Sequence, residues 1–230
     1  MIVFTLGTLF ILAFLAFATW RTAELLPEIP PQLNLLLLPA ENVLRLGLIA
    51  ICFGLALASG QSFGQFGWRW DNLTRDIGLG LIVGAAVAMA VPPITHFAIM
   101  RFGANIYSPA VLLHVMPHNR REWLFVPLAF IPAVILEELL FRSLLLGGFG
   151  AFMPPALLAV AWSIIFGLMH SPQGALGMVI AIALGLLLSG LFLATQSLVA
   201  PCLAHYVINM LQLILAAHDQ TLMGKLMGEP

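Results

Sequence analysis

The chain has 230 residues, of which 61% are hydrophobic and only 8% are charged, and its formal net charge is −1. Because soluble domains carry about 25% charged residues, this composition predicts an integral membrane protein. A helical span needs roughly 20 mostly apolar residues, so the length allows about six to eight spans and no separate soluble domain. The near balance of nine basic and ten acidic residues, without a basic run, excludes nucleic acid as an expected partner.

Long apolar windows follow one another along the chain and predict an all-α fold, a polytopic transmembrane helical bundle of about seven spans. The predicted spans cover approximately residues 2–19, 42–59, 77–99, 123–147, 154–170, 174–195 and 197–217. No positive charge precedes the first apolar run, so we expect that run to be a span and not a cleaved signal peptide. The lipid bilayer is therefore the protein's expected surroundings.

The longest polar break carries Arg101, Arg120 and Arg121 and divides the chain into unequal parts. Two histidines in this break, His114 and His118, are predicted to be solvated. The division gives three N-terminal spans with their connections, a second helical region and a short solvated tail, over residues 1–122, 123–217 and 218–230.

Positive charges are shared unequally between the two faces of a bundle of seven alternating spans. Two of them, Arg69 and Arg75, fall on one face. The other face collects Arg21, Arg45, Arg101, Arg120, Arg121 and Lys225. The positive-inside rule predicts that this richer face is cytoplasmic, with the N-terminus outside and the C-terminus inside. We expect a multi-pass protein of the bacterial inner (cell) membrane, with its site accessible from the cytoplasm.

The stretch "AVILEELLFRSLLL" places three charges inside an apolar run. A charge at the centre of a span costs about 2.5 to 3.5 kcal/mol, so these side chains must be paired or hydrated. Glu138 and Arg142 are four residues apart, share a helix face and are predicted to pair. Glu137 is rotated by about 100° and has no partner in its own helix. A spare carboxylate in a water-accessible cavity suits a general base.

Two later spans carry polar side chains at helical spacing. "FGLMHSP" places Phe166 and His170 four residues apart, and "AHYVINM" does the same for His205 and Asn209. Each pair alone is a weak signal, because single polar residues often stabilise membrane bundles. Amide hydrolysis needs a general base, a group that orients the attacking water, and hydrogen-bond donors that stabilise the developing negative charge. Together with Glu137, these two pairs supply all three.

In chain order, "EELLFR", "FGLMH" and "HYVIN" resemble the EExxxR, FxxxH and HxxxN motifs of the CPBP family. This is the CAAX protease and bacteriocin-processing family of intramembrane endopeptidases, which are similar to CAAX prenyl endopeptidases. All three motifs are intact, and the resemblance covers the chain from about Trp123 to Ala217. The resemblance thus implies a catalytic helical region over the second part of the chain.

The resemblance also implies a role for each motif residue. Glu137 and His170 would activate a water that attacks the scissile carbonyl. His205 and Asn209 would stabilise the resulting oxyanion. The residues implied to support this catalytic set are Glu138, Arg142 and Phe166.

Metal dependence stays open at the level of sequence. Two histidines and a carboxylate satisfy a catalytic zinc site, and the candidate ligands are Glu137, His170 and His205. The HExxH signature of zinc proteases is not present, however. Members of the family have been described both as zinc-dependent and as metal-independent glutamate proteases, so either no cofactor or zinc is compatible with the motifs.

The expected function is hydrolysis of a peptide bond in a membrane-associated peptide or protein substrate, which can be lipidated. One alternative is a non-catalytic member of the same family that acts as an immunity or partner-binding factor. Another is a transporter whose intramembrane carboxylates and histidines relay protons. The motif order favours the endopeptidase, and the lack of visible repeats disfavours the transporter.

Overall fold

The computed structural model describes residues 1–30 and 32–218, and these residues form a helical bundle without β-strands. The predicted all-α fold is therefore confirmed. Residues 219–230, which include Lys225 and nearly all of the predicted solvated tail, lie outside the described part of the chain. The α-helices are α1 (Ile2–Leu25), α2 (Pro39–Ser59), α3 (Leu73–Phe102), α4 (Ala110–Val115), α5 (Arg120–Glu138), α6 (Pro155–Leu168), α7 (Gly174–Thr195) and α8 (Val199–His218).

Six helical segments are long and apolar enough to cross a membrane, within the residues that the structure describes. They are Ile2–Glu28, Pro39–Ser59, Leu73–Phe102, Arg120–Ala151, Ser171–Thr195 and Val199–His218. The chain is therefore an integral, multi-pass membrane protein. Each segment coincides with one of the spans predicted from the sequence.

The remaining predicted span, residues 154–170, is shorter in the structure. Helix α6 has 14 residues, which at 1.5 Å per residue gives about 21 Å and does not cross a core of about 30 Å. Proline accounts for both ends: Pro155 opens the helix, and Pro172 lies in the 3₁₀ turn Ser171–Gln173 that follows it. Helix α6 is therefore too short to form a full span.

Helix α5 continues into a π-helix, Leu139–Gly147, and a 3₁₀ turn, Gly148–Ala151. The amide of Gly148 bonds to the carbonyl of Ser143, five residues earlier, as π geometry requires. Two side-chain bonds join the π-helix to its neighbours: the indole of Trp162 donates to the Leu145 carbonyl at 2.8 Å, and the hydroxyl of Ser143, within the π-helix, donates to the Phe66 carbonyl at 2.8 Å. The π-helix is thus held from both sides at the centre of the bundle.

The largest buried cluster joins the N-terminal helices to this central segment. It contains Phe4 of α1, Cys52 of α2 and Phe166 of α6, together with Leu136 and Phe141 of the central segment. The first helices are therefore part of the same core as the predicted catalytic motifs.

The connection before α5 differs from its prediction. His114 is buried, with Nδ1 at 2.7 Å from the carbonyl of Ala110 and Nε2 at 3.1 Å from the carbonyl of Ile29. The prediction that His114 is solvated is wrong, because the short helix α4 folds against the connection that follows α1. The prediction is confirmed for His118, whose side chain is exposed and lies 3.3 Å from Glu122.

Helices α3 and α8 pack through glycine. A Cβ atom added at Gly84 would lie 2.8 Å from the carbonyl oxygen of Ala204, which precedes His205 on α8. Gly80 is in similarly close contact with the carbonyl of Ala200. Small residues allow membrane helices to approach this closely, so α3 fixes the position of the helix that carries the HxxxN motif.

We predict that Gly84→Ala lowers the stability of the bundle by about 1 to 3 kcal/mol, because its methyl group overpacks the contact with α8. The matched control is Gly78→Ala on the same helix, where nothing lies within 4 Å of an added Cβ. Since alanine favours helix over glycine by about 1 kcal/mol, Gly78→Ala should be neutral or stabilising. Thermal unfolding of the detergent-solubilised protein measures both, and equal unfolding temperatures would contradict the prediction.

Candidate active site

Three charged or polar side chains meet at the end of α5, where the α-helix changes to the π-helix. Arg142 donates from Nη1 to Oε1 of Glu138 at 3.0 Å, and both side chains are almost completely buried. The same carboxylate oxygen lies 2.7 Å from Nδ1 of His205 on α8. Arg142 also donates from Nη2 to the carbonyl of Gly185 on α7 at 3.3 Å. The predicted pairing of Glu138 with Arg142 is confirmed, and it extends to α7 and α8.

Glu137, the neighbouring carboxylate, lies in a different environment. Its side chain is 39% exposed, whereas that of Glu138 is 0% exposed. Oε2 of Glu137 has no hydrogen-bond partner in the described part of the chain, and its nearest cationic neighbour is Nε2 of His205 at 3.8 Å. The sequence-based interpretation of one paired and one spare carboxylate therefore agrees with this geometry.

The imidazole of His205 links the two carboxylates. Because a carboxylate only accepts hydrogen bonds, its bond with Glu138 requires that the proton of a neutral ring sits on Nδ1. The other nitrogen, Nε2, then faces Glu137 with a free lone pair. If the ring gains a second proton, Nε2 becomes a donor and the buried carboxylate of Glu138 stabilises the charge.

Phe166 is the aromatic centre of the site. Its ring is packed edge-on against Phe141 with a centroid separation of 5.1 Å, and the Arg142 guanidinium lies 4.9 Å from its centroid. The ring is also 6.1 Å from the imidazole of His205 and 4.5 Å from that of His170. Phe166 thus joins the FxxxH motif to the other two.

His170 reaches the site through this contact with Phe166. Its Nδ1 lies 2.7 Å from the Phe166 carbonyl, so Nδ1 carries the proton and Nε2 keeps its lone pair. The apolar pattern predicts His170 at the end of a full span, towards the membrane face. Because α6 ends at Leu168, His170 instead lies beside the aromatic centre. No ion pair joins His170 to a carboxylate within residues 1–30 and 32–218; the close contact of Glu137 is with His205.

Asn209 lies one turn beyond His205 on α8, as the spacing predicts. Its side chain is half-buried, and the described residues provide it with no hydrogen-bond partner. Its amide can therefore donate to a group that enters from outside the chain.

The geometry does not fit a metal ion bound by three side chains. Among the residues described, no three His, Cys, Asp or Glu side chains converge on one point. The candidate ligands Glu137, His170 and His205 do not converge either, because only Glu137 and His205 form a close pair. A catalytic zinc needs three protein ligands, and we therefore assign no step to a metal.

One partly buried cation on α2 was not singled out from the sequence. The side chain of Arg45 on α2 is only 19% exposed, and its Nη2 lies 3.7 Å from Oε2 of Glu41. From the sequence, Arg45 was counted with the cationic face of the bundle. A signal was present: Arg45 lies three and seven residues before the buried Leu48 and Cys52, on the same helix face.

Comparison with known proteins gives a family match for part of the chain. Neither a curated protein nor a solved structure matches the chain. Residues 119–211 match the family model described as Type II CAAX prenyl endopeptidase Rce1-like. The matched region contains the three motifs whose side chains meet around Phe166 and His205. Residues 119–211 are thus similar to the CAAX protease family that the motifs of the chain resemble.

Proposed function

We propose that this protein is an intramembrane endopeptidase that hydrolyses a peptide bond with a water activated by Glu137. The observation that carries the proposal is the contrast between two adjacent glutamates. Glu138 is buried and paired with Arg142, whereas the side chain of Glu137 is 39% exposed; Oε2 of each carboxylate has no hydrogen-bond partner among the residues described. A carboxylate in that condition can take a proton from water. The family match of residues 119–211 supports a protease in general.

Hydrolysis on this arrangement begins with the water bound between Glu137 and His170. Glu137 takes one proton while the water oxygen attacks the scissile carbonyl carbon. The free lone pair on Nε2 of His170 orients the water by accepting its second hydrogen. The C–O bond forms as the carbonyl π electrons move onto oxygen. Glu137 then returns its proton to the amine as the C–N bond breaks.

The oxyanion formed in this step needs donors that are already in place. The amide of Asn209 is such a donor, and it cannot titrate. His205 donates from Nε2 when its ring is protonated, a state that the bond from Nδ1 to Glu138 stabilises. Arg142 holds Glu138 in position for that bond. These supporting roles explain why a buried ion pair accompanies the reactive glutamate.

The substrate that we propose is a membrane-associated peptide or protein, including lipidated ones. Glu137 lies on a helix that is long and apolar enough to span a membrane, so the scissile bond must reach membrane depth. Arg120 and Arg121 at the start of that helix favour a cytoplasmic location for this end. We therefore propose access from the cytoplasmic side of a bacterial inner membrane.

We predict that Glu137→Gln abolishes most peptide cleavage, by a factor of about 10² to 10⁴, because glutamine cannot accept the proton from water. Its unfolding temperature should stay near that of the wild type, since Glu137 Oε2 has no hydrogen-bond partner to lose among the residues described. The assay is cleavage of a fluorogenic lipidated peptide by protein in nanodiscs.

The matched control is Glu138→Gln, one residue away. This change leaves Arg142 buried without its counter-ion, and breaking such a pair costs about 3 to 5 kcal/mol. Its unfolding temperature should therefore fall markedly, unlike that of Glu137→Gln. Full activity in Glu137→Gln would contradict the endopeptidase mechanism. A cellular phenotype that persists in this variant would favour the partner-binding function.

We predict that Asn209→Ala lowers kcat by about 10² to 10³ with little change in KM, because removal of one oxyanion donor acts on the transition state. The half-buried amide has no hydrogen-bond partner among the described residues, so the fold should remain stable. Steady-state kinetics together with thermal unfolding test this. A rise in KM alone would instead assign Asn209 to substrate binding.

We predict that cleavage survives prolonged treatment with a strong chelator, because no three metal-ligating side chains converge in the described structure. Elemental analysis of the treated protein should accompany the assay. Loss of cleavage on chelation, with recovery on addition of zinc, would show that the side chains rearrange around a metal.

A further inference from the structure

A polar cavity lies at the end of the bundle where α3 and α8 begin and α7 ends. Its volume is about 330 Å³, within the range of about 300 to 1,000 Å³ that is typical of small-molecule sites. Two arginines and two aspartates line it: Arg69, Arg75, Asp71 and Asp76. No residue of the three sequence motifs lines this cavity in the part of the chain that the structure describes, so it is separate from the candidate active site.

The arginines of this cavity keep hydrogen-bond donors for a ligand. Arg69 donates from Nε to Asp71 at 3.0 Å. Arg75 donates from Nε and Nη2 to Oδ1 of Asp76 at 3.0 and 2.9 Å, and from Nη2 to the carbonyl of Thr195 at 3.2 Å. Because a guanidinium has five N–H donors, both side chains keep N–H groups that bond to no described residue. They lie on Nη1 and Nη2 of Arg69 and on Nη1 of Arg75.

Asp76 supplies a complementary acceptor. Its side chain is only 3% exposed, and both bonds from Arg75 end on the same oxygen, Oδ1. The other oxygen, Oδ2, accepts no hydrogen bond from the residues described. Because a charged oxygen at a buried position costs free energy when it is left unbonded, a ligand that donates to Oδ2 is favoured here. Asp71 adds a second, more exposed carboxylate to the cavity.

The balance of charge at the cavity indicates the class of ligand. Two guanidinium groups and two carboxylates cancel in formal charge. A purely anionic ligand would face the carboxylate of Asp76, a purely cationic ligand would face the arginines, and each of these contacts is repulsive. A ligand with one phosphate and one ammonium group on a short linker instead pairs with both kinds of side chain.

The cavity lies at the level of the lipid headgroups. Helices α3, α7 and α8 belong to segments long and apolar enough to span a membrane, and the cavity is at their ends. Trp70, just before α3, is exposed, and tryptophan is enriched at this level of a membrane. Leu73, Ile77 and Leu81 are exposed at four-residue spacing and form an apolar stripe that starts beside the cavity. Acyl chains can lie along this stripe while a headgroup occupies the cavity.

We propose that this cavity binds the headgroup of a phospholipid with a primary amine, of the phosphatidylethanolamine type. The phosphate accepts hydrogen bonds from Arg69 and Arg75, and the ammonium group donates to Oδ2 of Asp76. The bound lipid bridges α3 and the turn between α7 and α8, at the face opposite to the one predicted to be cytoplasmic. Binding at this site does not depend on the proposed endopeptidase function.

The test measures lipid binding by the delipidated full-length protein in detergent. Native mass spectrometry gives the Kd of three lipids with identical acyl chains: phosphatidylethanolamine, phosphatidylcholine and phosphatidylglycerol. We expect phosphatidylethanolamine to bind about 10-fold or more tightly than either of the others. The trimethylammonium group of phosphatidylcholine has no N–H to donate to Asp76, and phosphatidylglycerol has no cationic group. Equal Kd values for the three lipids would overturn the proposal.

Two variants assign the preference to side chains. Asp76→Asn keeps an oxygen for Arg75 but puts an NH₂ donor in place of the second oxygen, so the preference for phosphatidylethanolamine should vanish. Arg69→Gln removes a cation whose described bond is to an exposed aspartate, so the fold should persist while the affinity for all three lipids falls about 3- to 10-fold. Thermal unfolding checks that each variant is folded, and Arg69→Gln keeps the test decisive if Asp76→Asn is not.

The matched control is Glu24→Gln. Glu24 is an exposed carboxylate at the end of α1 that pairs with Arg21, on the opposite, arginine-rich face of the bundle. This variant should keep the wild-type Kd values. A preference that survives in Asp76→Asn, or affinities that Arg69→Gln leaves unchanged, contradict the assignment. An equal change in Glu24→Gln also contradicts it, because the effect would then be one of general charge.

A soluble competitor separates the two sources of this headgroup. Glycerophosphoethanolamine carries the same phosphate and amine without acyl chains. At a concentration equal to that of the lipid, it should leave bound phosphatidylethanolamine in place, because it has no acyl chains to pack on the apolar stripe. Displacement under these conditions would assign the cavity to a soluble zwitterion and overturn the lipid site.

Discussion

The ion pair between Glu138 and Arg142 is the constraint around which the second half of this bundle is arranged. Two charges that are almost fully buried at membrane depth must have their hydrogen bonds supplied by protein. The partners come from different helices, since His205 on α8 bonds the carboxylate and Gly185 on α7 accepts from the guanidinium. The bonds to this one buried pair therefore join α5, α7 and α8, and only Oε2 of Glu138 and Nε of Arg142 are left without a partner in the described part of the chain.

The same constraint separates two chemically identical side chains. Glu138 is held by two cationic or protonated neighbours, whereas Glu137, one residue earlier, points towards space that is partly open. His205 contacts both, through Nδ1 to Glu138 and through Nε2 to Glu137. A single imidazole ring thus lies between the buried carboxylate and the partly exposed one.

Much of this could be predicted from the sequence, because apolar length and helical spacing are local properties. The positions of seven helices and the pairing of Glu138 with Arg142 followed from them. The end of α6 was predicted two residues too late, because a prolonged apolar run hid the turn at Pro172. The burial of His114 depends on contact with a distant segment, which no local pattern encodes.

No sequence pattern predicted the π-helix, although it sets the positions of the side chains in the site. A turn with five-residue bonds is wider than an α-turn and offsets the side chains after it. It begins at Leu139, directly after the two glutamates, so Arg142 lies within the widened segment and the glutamates lie before it. The wider helix persists because other helices satisfy it, as the indole of Trp162 does for the Leu145 carbonyl. The aromatic ring of Phe166 then covers the guanidinium at 4.9 Å. Helix α6 is too short to span the membrane, and it supplies both the Phe166 ring over the guanidinium of Arg142 and His170, which packs against that ring.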